Sequence, residues 1–270
     1  MLKTAFDKTA VKRSFSRAAS TYDEFAGFQR MAALEVMKRL SDSPSNSLVS
    51  PVLDIGCGTG FLLELIKSSS PDVRIYGSDI ALPMLCRMQD KAGAQCSGLV
   101  ASDCESLAFR DATFAVAASS LTFQWAHELS AAFSEAFRVL KRDGLFIFST
   151  LGPETLKELK ECYPGYQGIE FRESADIKRT LDEAGFEKTS VESKIIKMKY
   201  HSFMDLLRTL KYIGAAPPLE CGKGLSPGRA LKEAGRAYAE AGRAYAKRFP
   251  AIEGGVLASY ELIIASAKKM

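Results

Sequence analysis

Val52-Leu-Asp-Ile-Gly-Cys-Gly-Thr-Gly-Phe61 is an apolar run that ends on Asp54 and then breaks into glycines at Gly56, Gly58 and Gly60. A strand that stops on an acid, followed by glycines at every second position and by the helix-like Phe61-Leu-Leu-Glu-Leu-Ile66, makes a backbone turn with no Cβ atoms to block a ligand. In dinucleotide-binding turns the spacing is G-x-G-x-x-G and the acid follows later, so that a pyrophosphate meets the helix N-terminus. Here the order is D-x-G-x-G-x-G, and an acid at the turn itself would repel a pyrophosphate but suit a cationic amino group. Close packing alone is the competing account of such a turn.

Two further strand ends favour a ligand. Ile75-Tyr-Gly-Ser-Asp79-Ile80 ends in an acid roughly 20 residues past the glycines, where a doubly wound fold places its ribose-binding carboxylate, so Asp79 would hold both ribose hydroxyls. Leu99-Val-Ala-Ser-Asp103-Cys104 ends a third apolar run in an acid. One such acid is commonly a helix cap, but three in register after successive strands exceed what capping explains. The D-x-G-x-G-x-G stretch resembles motif I of the class I methyltransferases, whose S-adenosylmethionine carries an amino group beside its sulfonium. That resemblance implies S-adenosylmethionine as cofactor, with Asp103 accepting from the adenine amino group. The implied cofactor-binding set is Asp54, Gly56, Cys57, Gly58, Gly60, Asp79, Ile80, Asp103, Cys104 and Ser119.

With 270 residues, 47% hydrophobic and 25% charged, the chain can bury a sizeable core as one large domain or one domain plus an insertion. Its longest apolar stretches are of strand length and Met1–Asp7 lacks a signal-peptide core, so the expectation is a cytoplasmic protein without a membrane partner. The six cysteines (Cys57, Cys86, Cys96, Cys104, Cys162, Cys221) include no C-x-x-C pair, and the two histidines are His127 and His201. That excludes a disulfide framework and a zinc site. Cys57 sits in the glycine loop, but without a neighbouring histidine it reads as a small residue, not a nucleophile.

Strands and helices alternate as a parallel sheet with crossover helices requires. Strands are expected at about 51–56, 73–78, 97–102, 113–119 and 145–150, with helices at 60–69, 82–92 and 128–140, and Asp143-Gly144 as a turn. A helix over 173–184, stopped by Gly185, precedes the alternating run Val191–Tyr200, strand six. Its partner by pattern is Val256–Ile264, so the roughly 55 residues between form an insertion, read as helices at Ser202–Ile213 and Pro227–Phe249. Upstream, residues 8–40 form a helical pair hinged at Ser14–Ala26 that would cover the cofactor pocket. The expected division is 1–45 N-terminal helices, 46–200 α/β core, 201–252 inserted helical cap and 253–270 final core strand.

Positive charge concentrates late in the chain. From Ser190 to Met270 there are fourteen Lys or Arg against seven Asp or Glu, a surplus of seven against +4 for the whole chain. Such a patch suits nucleic acid, an acidic membrane or an acidic protein, and solvated helix faces give the same composition. Within it Ala234-Gly-Arg-Ala-Tyr-Ala-Glu240 recurs as Ala241-Gly-Arg-Ala-Tyr-Ala-Lys247, and a seven-residue period returns to nearly one helix face. Tyr238 and Tyr245 then share one side and Arg236 and Arg243 another, as a duplication that lengthened one helix would leave them.

Ser14-Phe-Ser-Arg-Ala-Ala-Ser-Thr-Tyr22-Asp-Glu-Phe-Ala26, Ser119-Ser-Leu-Thr-Phe-Gln124-Trp125, Ser149-Thr-Leu-Gly-Pro-Glu-Thr-Leu-Lys-Glu-Leu159, Leu210-Lys-Tyr-Ile-Gly-Ala215 and Ala258-Ser-Tyr-Glu-Leu-Ile263 together resemble the malonyl-[acyl-carrier protein] O-methyltransferases of biotin synthesis (BioC). The likeness runs from about Val11 to the C-terminus, and departs at the linker Pro217-Pro-Leu-Glu-Cys-Gly222 and the duplicated heptad. It implies a seven-stranded, mostly parallel Rossmann-like sheet with helices on both faces and a helical cap between the last two strands. It also implies carboxyl methylation of a malonyl thioester on acyl carrier protein or coenzyme A. A malonyl carboxylate is ionised at neutral pH, so no general base is needed. Tight pairing with Arg would blunt it, so neutral donors Tyr22, Gln124 and Trp125 are expected nearest the reacting oxygen, with Arg208 or Lys211 at the far one. Each also reads blandly: packed aromatics, a loop glutamine, solvated helix charges. A carboxyl methyltransferase for a free acid such as an aconitate, and a cofactor-binding accessory protein without transferase activity, stay open. Nucleic acid is disfavoured as a partner, because Ala118-Ser-Ser-Leu-Thr-Phe123 lacks the Pro-Pro-Tyr/Phe signature of base amino methylation.

Overall fold

The computed structural model describes residues 7–42, 49–92, 96–163, 168–215, 227–252 and 254–270. The linker 217–222 and Cys221 lie outside the described residues. Seven strands form one sheet in the order β3-β2-β1-β4-β5-β7-β6. They are β1 Val52–Ile55, β2 Ile75–Asp79, β3 Gly98–Ala101, β4 Phe114–Ser120, β5 Leu140–Leu151, β6 Glu187–Tyr200 and β7 Val256–Lys268. Strands β1 to β5 pair in parallel, while β7 runs antiparallel to both β5 and β6. The class I methyltransferase expectation of a seven-stranded, mostly parallel sheet is met. The order reverses between β1 and β4, and in an open α/β sheet the crevice at that reversal, beyond the carboxyl ends of the strands, is where ligands bind.

Both faces of β1 are covered, which is why all four of its residues are buried although one is Asp54. On one face Leu53, Phe133, Phe146, Phe148 and Ile263 form a core under α6 (Leu129–Val139) and α8 (Ser174–Glu183). On the other, Val36, Leu63, Ile66 and Met88 pack under α3 (Gly27–Ser41), α4 (Phe61–Ser69) and α5 (Leu82–Ala92). Gly185 follows α8 at φ +94°, the left-handed stop read from sequence.

Three expected boundaries move. Strand β5 begins at Leu140, because Leu140 pairs with Phe114 and the chain then bulges through Asp143 at φ +61° before regaining register at Leu145 opposite Val116. Strand β6 begins at Glu187, since β7 is long enough to partner it there. The N-terminal hinge is shorter than Ser14–Ala26, with α1 (Lys8–Ala18) continuing to a turn at 19–21 before the single turn α2 (Tyr22–Phe25) and α3. A helix not foreseen, α7 (Lys157–Cys162), follows β5 and is anchored by Glu158, whose carboxylate accepts from the Ser259 backbone N–H at 3.0 Å and from its hydroxyl.

The insertion between β6 and β7 holds α9 (Phe203–Tyr212) and α10 (Pro227–Arg248). The heptad behaves as its period requires: Tyr245 is fully buried and donates to the Leu257 carbonyl at 2.8 Å, Tyr238 packs on Tyr163, and Arg236 and Arg243 are exposed. No helix among the described residues is long and apolar enough to cross a membrane.

Candidate active site

The turn after β1 adopts left-handed backbone at Gly56, Gly58 and Gly60, with φ of +69°, +53° and +94°. Cys57 N donates to Ser78 O at 2.9 Å and Gly60 N to Cys57 O at 2.9 Å, which fold the loop back over β2. A Cβ on Gly56 would sit 2.1 Å from the Thr122 hydroxyl, whereas a Cβ on Gly58 meets nothing within 4 Å. The peptide at Gly58 therefore borders open space. That space is a cleft of about 710 Å3 at the β1/β4 reversal. Gly56, Gly58, Asp79 and Ile80 line one side, Ser102, Asp103 and Cys104 the far end, and Ser120, Leu121, Thr122 and Trp125 the outer wall.

Burial raises two of the acids. Asp79 is pushed up to about 6 by burial, against the Ala81 and Gly58 N–H groups that donate to its oxygens at 2.8 and 3.0 Å. Asp54, within β1, is 1% exposed, and burial, with the charge of Asp79, raises its carboxyl well above the usual range. Beyond a weak approach by the Leu63 backbone N–H, neither of its oxygens has a hydrogen-bond partner. Burying a carboxylate without a partner costs free energy, and that cost is what drives the rise. Burial and the nearby carboxylates push the Cys104 thiol up to about 12, and Cys57 is raised as well, by burial first and then Asp54 and Asp79. Both stay protonated at neutral pH and neither is a nucleophile. Among the described residues no cluster of His, Cys, Asp or Glu could hold a metal ion.

The N-terminal helices roof the cleft with Lys8, Val11, Phe15 and Tyr22. Asp23 pins them to the glycine loop, accepting from the Thr59 hydroxyl at 2.5 Å and pairing with Lys91 at 3.0 Å. Tyr22 stacks on Phe61 with centroids 6.2 Å apart. Burial raises its phenol, with Asp79 and Asp23 adding, so it remains a neutral donor. The roof is joined to the inserted cap: Ser14 Oγ donates to Gly214 O at 2.8 Å and Thr21 Oγ1 to Tyr212 O at 3.2 Å. At the far end Lys8 pairs with Asp103 at 2.6 Å and Glu105 at 2.8 Å. Burial opposes its charge, yet the two carboxylates hold the ammonium above the ordinary lysine value. Lys8→Met is expected to release a bound nucleoside severalfold faster. Stopped-flow fluorescence of Trp125, the chain's single tryptophan, which meets Phe15 of α1 edge-on at 5.2 Å, would read the rate.

Of the residues expected at the site, Tyr22, Trp125, Gly56, Gly58, Asp79, Ile80, Asp103 and Cys104 meet in the cleft. Others do not line it, Asp54 among them, because both faces of β1 are covered and its side chain is buried in the core. Ser119 is buried and donates to the Ile55 carbonyl at 2.7 Å, so it ties β4 to β1 and Ser120 reaches the cleft. Cys57 is buried against β2 and Gly60 abuts Met88. Gln124 turns away: its amide donates to Leu121 O at 2.6 Å and accepts from Thr150 Oγ1 at 3.1 Å. Arg208 and Lys211 are exposed on α9, because Phe203, Leu206 and Leu210 claim its buried face. The roof residues Lys8 and Asp23 escaped the sequence reading, although Asp23 directly follows Tyr22.

The profile of a Methyltransferase domain family matches residues 53–148. The malonyl-[acyl-carrier protein] O-methyltransferase of Geobacter sulfurreducens is 34% identical over 242 residues, covering 84% of this chain and 88% of that protein. That of Laribacter hongkongensis is 34% identical over 225 residues, covering 77% and 74%. The biotin biosynthesis bifunctional protein BioHC of Teredinibacter turnerae is 35% identical over 221 residues, which are 77% of this chain but 39% of that protein. Among solved structures, phosphoethanolamine N-methyltransferase 2 of Haemonchus contortus in complex with S-adenosyl-L-methionine shares the fold at TM-score 0.58 and 18% identity, over 94% of this chain and 57% of that one. A SAM-dependent methyltransferase of Thermotoga maritima does so at 0.57 and 16%, over 96% and 99%.

Proposed function

The chain belongs to the malonyl-[acyl-carrier protein] O-methyltransferase family, and from that premise we propose that it methylates the free carboxyl of a malonyl thioester on acyl carrier protein, giving the methyl ester that enters biotin synthesis. S-adenosylmethionine is the cofactor, and when bound it supplies an electrophilic methyl group beside a sulfonium. The observation that carries the reading is the bare peptide of Gly58, which borders the cleft together with the Asp79 carboxyl on one side and Asp103 at the far end. Asp79 would hold the ribose hydroxyls and Asp103 the adenine amino group.

The transfer brings together a carboxylate and a sulfonium and neutralises both charges, so water, which stabilises the separated charges, slows it. The chain's task is to orient an oxygen and to exclude solvent. Val11, Phe15, Leu121 and Trp125 give the cleft an apolar lining, and Tyr22 offers a protonated phenol that orients the incoming carboxylate without quenching it. No side chain need remove a proton, because the carboxylate is ionised at neutral pH. Carrier proteins are acidic, and the exposed Arg236, Arg243 and Lys247 of α10, with Arg208 and Lys211 of α9, supply charge of the opposite sign.

The test combines the protein and S-adenosylmethionine with malonyl-carrier protein, malonyl-coenzyme A or free malonate, and follows the gain of one methyl by mass spectrometry. Methylation of the carrier-bound group in preference to free malonate is expected. Its KM should rise several-fold between low and 0.3 M salt while kcat holds, since screening weakens encounter more than chemistry. If no thioester gains a methyl, the reading fails.

A further inference from the structure

The segment that walls the cofactor cleft has a second side. Ser120, Leu121, Thr122 and Trp125 face the cleft, while Phe123, Gln124 and Ala126 face another cavity, of about 920 Å3, at the carboxyl ends of β4 and β5. Successive residues of the tight turn Phe123–Trp125 point in different directions, which is how three neighbours serve two cavities. The second cavity has a deep apolar floor of Phe123, Phe133, Phe148 and Ile177, each 4% exposed or less. Thr150 and Gln124 add a hydroxyl and an amide. Its mouth carries Arg172 together with Glu128 and Glu170.

One side chain joins the two spaces. The Gln124 amide donates to the carbonyl of Leu121, a cleft residue, and accepts from Thr150, a residue of the second cavity. A substrate for the proposed reaction is a small anion at the end of a long neutral chain, because a carrier presents its acyl group on a pantetheine arm of methylenes, gem-dimethyls and two amides. The cavity suits the arm better than the anion. Its floor is uncharged, and at the mouth two acids face one arginine among the described lining residues, so a free dicarboxylate would gain little there. An apolar trough with one amide and one hydroxyl satisfies an aliphatic diamide.

We propose that the second cavity is the channel for this arm and that Gln124 is the partition the malonyl carboxylate passes to reach the cofactor cleft, an inference that rests on the carboxyl methyltransferase reading. Gln124 then acts as a positioning residue, trading its bond to Thr150 for one to an arm amide.

Malonyl-pantetheine, the arm without the carrier, is the probe. Ala126→Phe and Leu151→Trp fill the channel away from the cofactor. Each is expected to raise the KM for malonyl-pantetheine at least tenfold and to erase saturation-transfer NMR signals from the arm, with S-adenosylhomocysteine affinity within twofold of the parent. On the unsubstituted protein, the gem-dimethyl protons should show transfer to the methyls of Leu129 and Leu151. Unchanged KM and arm signals in variants that bind S-adenosylhomocysteine normally would overturn the channel, as would transfer to α9 methyls instead. Arm contacts at Leu129 and Leu151 without methylation of any thioester would keep the channel and defeat the functional reading.

Discussion

Replacing Asp79 with alanine is expected to weaken S-adenosylhomocysteine binding by roughly a hundredfold to ten-thousandfold. A carboxylate that accepts two ribose hydroxyls makes two charge-assisted hydrogen bonds, each about 1.5–3 kcal/mol, and every 1.4 kcal/mol is a factor of ten. The carboxylate also organises the site, since its oxygens receive the N–H groups of Gly58 and Ala81. Its acidity gives a second signature. Burial lifts Asp79 from 3.8 to about 6. The folded protein thus binds this proton more tightly than the unfolded chain does. The group contributes stability below pH 4 that is lost as pH rises through about 6, at most about 3 kcal/mol at 1.36 kcal/mol per unit. Cofactor binding has the opposite slope, because ribose hydroxyls need the ionised acceptor. Affinity should be flat above pH 7 and fall as pH drops through about 6, with a proton released on binding. Calorimetry at pH 5 to 8 in two buffers of different ionisation enthalpy measures both quantities. An affinity independent of pH over that range would remove Asp79 from the ribose site.

The glycines of the turn should fail in different ways. Gly56→Ala forces a methyl to within 2.1 Å of Thr122 Oγ1, on a residue at φ +69°. Thr122 cannot retreat without breaking its bond to the Ile55 carbonyl, 3.1 Å away. Strain and overpacking together should cost roughly 2–5 kcal/mol and lower Tm by about 5–15 °C. Gly58→Ala carries the left-handed penalty of about 1–2 kcal/mol but meets no neighbour, so the fold should survive. Its methyl projects into the cleft, and S-adenosylhomocysteine affinity should fall at least a hundredfold. Thermal melts paired with calorimetry separate the two. A Gly58→Ala protein that binds normally would mean that the ligand does not lie against this peptide.

The parts of the site legible in sequence were those carried by short segments. The glycine turn and the acids at 79 and 103 announce themselves because each is fixed by its own strand end, whereas Asp54, read the same way, is buried in β1 and does not line the cleft. The exposure of Arg208 and Lys211 was legible too, from the i, i+3, i+7 spacing of Phe203, Leu206 and Leu210 that turns both charges outward. Gln124 was not, because whether it or Trp125 faces the cofactor depends on a single tight turn whose sense no periodicity reports. Lys8 and Asp103 lie 95 residues apart, and Asp23 and Thr59 lie 36 apart, so nothing local marks either pair.

By itself, then, the sequence determined the strands, the turn and the kind of ligand the turn can accept, since backbone sterics and hydrophobic period act over a few residues. Only the tertiary structure decided what encloses that ligand. The roof exists because Ser14 meets Gly214 across 200 residues and Asp23 meets Thr59 and Lys91. Such contacts form once the sheet has brought distant segments together, and their cost is chain entropy that no local pattern encodes.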